Sequence, residues 1–178
     1  MINIRHLALL SATASVLALS ACASLQGDSP EDLPKPRSGQ WQISSTDQSG
    51  DTTTFRDCMD SDTFYKTRQL QKARREAHQC TTQTRHDSNG WQFTSNCKVG
   101  QTEQRIETSR KIDGDFKNSF HVLSVTKQQM PDGTTVQTTR NIQGQYLGAC
   151  PDGMKPGDRL FANGHRINFY DITGLDPQ

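Results

Sequence analysis

Residues 80 to 99 read CTTQTRHDSNGWQFTSNCKV, and this stretch decides the fold. Trp91, Phe93, Ser95, Cys97 and Val99 alternate with Gln92, Thr94, Asn96 and Lys98, the period of two that marks a strand with one wet face. Ser88, Asn89 and Gly90 stand before that run and tolerate the tight, left-handed backbone of a hairpin turn. A two-residue turn at Ser88 and Asn89 sets Cys80 directly across from Cys97; shifting the turn to Asn89 and Gly90 would set Cys97 across from Thr82 instead.

The same period extends in both directions. Ile106, Thr108 and Ile112 oppose Glu103, Arg105, Glu107 and Lys111, while Val136, Ile142 and Tyr146 oppose a run of Thr, Gln and Asn. Turn signals fall at Asp113-Gly114 and at Pro131-Asp132-Gly133. Strands are therefore expected near 80–87, 91–99, 101–112, 116–129 and 134–146, preceded by 40–45 and 52–58. They define a mainly β domain, an antiparallel meander forming a curved sheet or partial barrel. Gly144 and Gly148 are expected to relieve crowding at a strand end.

One short helix is expected over 61–77, with Asp60 and Asp62 at its start and Arg74 and Arg75 near its end, as the helix dipole favours. Its cations, Lys66, Arg68, Lys72, Arg74 and Arg75, read as a solvated face, because they do not form the tight polybasic cluster of a lipid-headgroup site. Beyond Cys150, residues 159–162, Asn163-Gly164 and 165–170 read as a hairpin whose apolar side chains dock on the main sheet.

The amino terminus carries a different signal. Arg5, an apolar stretch from Leu7 to Ala18, and then Leu19, Ser20, Ala21 and Cys22 follow the order of an export leader. The apolar stretch is far short of the ~20 residues that cross a bilayer as a helix. Leu19 to Cys22 resembles the lipobox of bacterial lipoproteins, which implies removal of residues 1–21 and acylation of Cys22. Several acyl chains hold a protein on a membrane where one holds it only marginally. Ala23 after that cysteine favours the outer membrane over the inner. Residues 22–38, with Pro30, Pro34 and Pro36 among polar neighbours, read as the lipidated Cys and a flexible tether. The β domain follows over 39–150, and 151–178 is a C-terminal extension.

Four further cysteines, Cys58, Cys80, Cys97 and Cys150, lie in an exported chain, so two disulfides are expected. None has a second cysteine at the short separations of structural zinc sites, and no metal is expected. With Cys80 joined to Cys97 across the hairpin, Cys58 is left to Cys150. The chain-entropy model assigns about 3 kcal/mol to the short loop and above 4 to the long one.

Gly39 and Trp41, then Cys58, Cys80, Gly90 and Cys97, and finally Leu147-Gly148-Ala149-Cys150 stand in an order that resembles the domain-of-unknown-function family numbered thirty-six seventeen. The resemblance spans residues 39 to 150. It implies an exported β domain with disulfides and no assigned activity, carried on short secreted proteins or lipoproteins.

Composition narrows the function classes. In 178 residues only 31% are hydrophobic, so the core is expected to be thin. Loss of residues 1–21 removes Arg5 and no acid, leaving 19 basic against 19 acidic side chains. A neutral chain lacks the basic excess that drives nucleic-acid binding, so no nucleic-acid partner is expected. No Gly-x-Ser-x-Gly, His-Glu-x-x-His or phosphate-binding Gly loop is present, and His78, His86, His121 and His165 are isolated in sequence. Neither a cofactor nor a catalytic residue is expected. The leading expectation is a non-enzymatic binding or accessory module, held to the membrane through Cys22 and meeting an envelope protein or the cell wall. An apolar-ligand carrier and a hydrolase with an unrecognised site are the alternatives. The face bearing Trp41, Ile43, Trp91, Phe93, Ile142 and Tyr146 is expected to form the core rather than a cavity.

Overall fold

The computed structural model describes residues 33–100 and 104–175. The leader 1–21, Cys22 and the tether as far as residue 32 lie outside the described residues, as does the stretch 101–103. Nine strands and two helices follow one another: β1 Gly39–Asp47, β2 Thr52–Met59, α1 Ser61–Ala77, β3 Thr81–Asp87, β4 Gly90–Lys98, β5 Arg105–Gly114, β6 Ser119–Gln129, β7 Thr135–Gly148, β8 Asp158–Phe161, β9 Arg166–Asn168 and α2 Phe169–Thr173. The strands form one open antiparallel sheet in the order β3-β4-β5-β6-β7-β1-β2-β8-β9. The mainly β fold, the meander from β3 to β7 and the two disulfides are as the sequence leads one to expect; among the described residues the helices number two rather than one.

Register explains the first disulfide. Asp87 pairs with Gly90 and Thr82 with Ser95, so the turn is Ser88-Asn89 and the ladder, extended by one residue at each end, brings Cys80 to Cys97. The alternative turn, which opposes Cys97 to Thr82, is not the one adopted. Cys58 and Cys150 bridge the strands on either side of β1, whose Gln40 pairs with both Cys58 and Gly148.

The core is small and lies in patches. Trp41 is fully buried; its indole Nε1 donates to the Arg37 carbonyl at 2.7 Å, and its ring meets Phe120 at 5.4 Å and Tyr146 at 5.5 Å between centroids. Phe120 in turn stacks on Phe116 at 5.7 Å. Gly144 makes this possible, because a Cβ there would stand 2.2 Å from the Phe120 ring. Gly148 plays a different part from the one expected: nothing lies near its missing Cβ, and its φ of +126° is the reason for glycine. On the opposite face Cys58, Gln40 and Met154 are buried together, with Gln40 Nε2 donating to Met154 Sδ at 3.5 Å.

Strand β6 starts at Ser119 rather than 116, because Asp115 organises the preceding loop. Its carboxylate accepts from the backbone N–H groups of Lys117, Asn118 and Ser119 at 2.9, 2.7 and 3.1 Å. These bonds to the charged form hold the Asp115 carboxyl well below the usual carboxylate range. Of the segment read as a tether, residues 33–38 are described and lie against the domain. Arg37 N–H donates to the Phe116 carbonyl at 2.8 Å, and the Arg37 guanidinium covers the Tyr146 ring at 4.5 Å.

The C-terminal residues form the hairpin around Asn163-Gly164 but do not lie down on a sheet face. Strand β8 instead extends the sheet beside β2, with Phe55 opposite Phe161 and Asp57 opposite Arg159. The Arg159 guanidinium grips Asp57 through two 2.8 Å bonds and lies 3.8 Å over Phe55. The second strand of the hairpin ends at Asn168 rather than Tyr170, since the Asn168 side chain accepts from Tyr170 N–H and caps α2. Tyr170 is thereby turned towards α1, where its hydroxyl donates to Asp62 at 2.8 Å. Burial raises the pKa of this phenol, and the neighbouring Asp62 adds to the rise.

Candidate functional site

Helix α1 begins where Asp60, in extended conformation, accepts from Thr63 N–H at 2.8 Å. Tyr170 and Thr63 then fasten its first turn to the C-terminal segment. From that anchor the helix runs over β4 and β5, on the same side of the sheet as Phe93 and Ile112, and a groove of about 410 Å³ separates the two layers. Phe93 and Ile112, both buried, belong to the floor. Phe64, Arg68, Lys72 and Arg75 reach it from the helix, at spacings that place them on one helical face. Leu33 and Lys35 reach it from the segment before β1.

The helix cations therefore do not form a single solvated face. Lys66 is buried, 3.9 Å from Asp62 and over the Tyr170 ring. Arg74 and Lys72 are exposed, Lys72 at the rim of the groove, whereas Arg68 and Arg75 are half-buried in its wall. A further cation, Arg110, enters from β5. The guanidinium carbons of Arg75 and Arg110 each lie 5.9 Å from the centroid of Phe93. Among the described residues neither of the two is ion-paired. The pKa of Arg110 is lowered, first by the protein atoms that crowd water away from it and then by repulsion from Arg75. Its side chain nevertheless remains open to solvent, as a group in the wall of an open groove must.

The face expected to be core divides by function. Trp41 and Ile43 are buried as core, Trp91, Ile142 and Tyr146 are half-buried, and Phe93 is a groove floor. A second depression of about 510 Å³ lies over β3, β4 and β5 and is lined mainly by Thr, Ser and Asn. Its polar groups engage each other, as Asn96 does with Glu107 and Arg105, and it offers no aromatic floor.

The histidines are placed apart. His86 stacks on Trp91 at 4.1 Å, and His165 faces Phe161. His121 has one ring nitrogen 3.2 Å from Asp113 and the other 2.8 Å from Asn141. All four cysteines among the described residues are taken up in disulfides; Cys22 lies outside them. Sequence reasoning did not single out Phe64 or Arg110. The i, i+4, i+8, i+11 spacing of Phe64, Arg68, Lys72 and Arg75 was the available signal for the helix side. For Arg110 it was a charge at an inward position of an alternating strand.

An open antiparallel sheet, twice stapled and partly roofed by one helix, defines the class to which this chain is assigned by form. The family model described as "Protein of unknown function (DUF3617)" matches residues 35–150, and the chain belongs to that family. No curated protein and no solved structure matches it.

Proposed function

We propose that this chain is a lipid-anchored envelope protein whose β domain is a non-enzymatic binding module, with the groove under α1 as the place where a small, apolar-bodied molecule sits. The observation that carries this reading is the groove itself. Its volume of about 410 Å³ falls in the range of ligand sites, and its floor is aromatic and aliphatic, with Lys35, Arg68, Lys72, Arg75, Glu76 and Arg110 at the walls. Phe93 and Ile112 close the bottom of the groove and are already only 7% and 8% exposed, whereas Phe64 at its side is half-buried and Tyr65 is exposed. A bound molecule would cover the apolar faces of Phe64 and Tyr65 against that floor. This favours the carrier reading over docking of an envelope protein or the cell wall, for which a flat, continuous surface is more usual.

The anchor rests on the leader and on Leu19 to Cys22. Mass spectrometry of the amino-terminal peptide should find a diacylglyceryl-modified Cys22; an intact Met1 start would overturn the anchoring. For the groove, the fluorescence of N-phenylnaphthylamine should rise on addition of the protein. It should fall back with Ala73→Trp, which fills the space from the helix side. Equal enhancement by both proteins would place dye binding elsewhere and remove the basis of the proposal.

A further inference from the structure

Resting on the groove as a ligand site, we infer that its occupant is a single-chain long carboxylate, whose head is held by Arg75 and Arg110 while its chain lies along Phe93 and Ile112. Two like charges directed at one aromatic ring repel each other, and Coulomb repulsion grows as water is displaced. Proteins tolerate such an arrangement where an anion completes it, and the planar guanidinium fork suits an oxyanion, to which it gives two parallel hydrogen bonds. Here the two forks converge on the same ring from different elements, Arg75 from the last turns of α1 and Arg110 from the middle of β5. Neither is ion-paired among the described residues.

Size selects the rest of the molecule. A volume near 410 Å³ is at the low end for ligand sites, which suits one acyl chain and a head of few atoms better than a two-chain lipid. Charge selects against a neutral alcohol or a cationic amphiphile, since five cations, Lys35, Arg68, Lys72, Arg75 and Arg110, line the groove against the single carboxylate of Glu76. A carboxylate has two oxygens, one for each fork.

The test uses membranes that carry the full chain and two photoreactive probes of equal length, a diazirine-bearing tetradecanoic acid and the corresponding tetradecanol. The acid should label peptides from α1 and β4, and excess unlabelled tetradecanoate should compete. Arg75→Gln combined with Arg110→Gln should lower labelling by the acid at least tenfold, which corresponds to about 1.4 kcal/mol. The weaker labelling by the alcohol should be unchanged, and Arg74→Gln, on the exposed side of the same helix, should behave as the parent. Equal labelling by acid and alcohol, or acid labelling that survives the double substitution, would overturn the carboxylate head while leaving the groove as a binding site. Stronger competition by a lysophospholipid of the same chain length would replace the carboxylate by a phosphate head. Failure of both probes to label α1 or β4 would overturn the groove together with its occupant.

Discussion

Substituting Gly144→Ala adds one methyl group and tests whether the small core is built as described. Gly144 needs no left-handed backbone, so any cost is steric. The new Cβ would stand 2.2, 2.3 and 2.7 Å from three atoms of the Phe120 ring, which must move by more than an ångström to reach ordinary contact. That movement disturbs two aromatic contacts at once, with Trp41 at 5.4 Å and Phe116 at 5.7 Å. Overpacking of this kind costs about 1–3 kcal/mol, and each aromatic pair is worth about 0.5–1.5 kcal/mol beyond its area. The reduced freedom of alanine in the unfolded chain returns about 0.4–1 kcal/mol. The expected net loss is about 2 kcal/mol, seen as a Tm lower by roughly 4–8 °C. Guanidinium melts of the single variants and of Gly144→Ala with Phe120→Ala complete a double-mutant cycle. With the ring gone the added methyl should cost nothing, so the coupling should equal nearly the whole penalty of Gly144→Ala. A methyl that costs the same in both backgrounds, or that stabilises the parent, would refute the placement of Phe120 over Gly144.

The two disulfides should differ in worth. With sequence separations of 92 and 17, the chain-entropy relation gives about 4.6 kcal/mol for Cys58–Cys150 and about 3.1 for Cys80–Cys97. Denaturant midpoints of the two paired Cys→Ala variants should therefore fall furthest when Cys58 and Cys150 are replaced, the more so because Cys58 is buried; the reverse order would contradict the assignment. Thr84 is 2% exposed and its hydroxyl has no partner, so Thr84→Val should raise stability by about 1 kcal/mol, read from the same melts; a loss would mean that the hydroxyl is bonded. Asp115 has a depressed pKa, so its contribution is complete above the ordinary value of 3.8 and fades as pH falls below it. Tm measured across pH 2 to 6 should fall less steeply on the acid side for Asp115→Asn than for the parent.

Much of this architecture could be read before the structure was known. A turn at Ser88-Asn89 sets Cys80 against Cys97 and leaves Cys58 to Cys150, but a turn at Asn89-Gly90 shifts the pairing by two positions and keeps the same faces inward, so the pairing of Asp87 with Gly90 makes the choice. Helix α1 was legible from Asp60 and from the arginines at its far end, since caps and dipoles act within one turn. What escaped was relative placement. Nothing within 61–77 says that Arg75 points at a sheet, because its partner Phe93 lies 18 positions away and is brought there by long-range pairing. Arg110 occupies the inward row between Thr108 and Ile112, where an alternating pattern calls for an apolar residue. The departure from the rule was visible; its meaning required the groove. Tyr170 fits the alternating pattern of a strand, and only the cap that Asn168 places on its N–H turns it into a helix.

The strand order itself carries a last consequence. An open sheet offers its two outermost backbones to any neighbour, and a protein held at high density invites strand-to-strand zippering. Here one outermost strand, β3, reads TTQTRHD, with no large aliphatic side chain, and the other, β9, is three residues long. The first offers no greasy strip to seal a join, and the second is too brief to template one. Crowded side by side, copies of this molecule should stay separate without a chaperone to keep them apart.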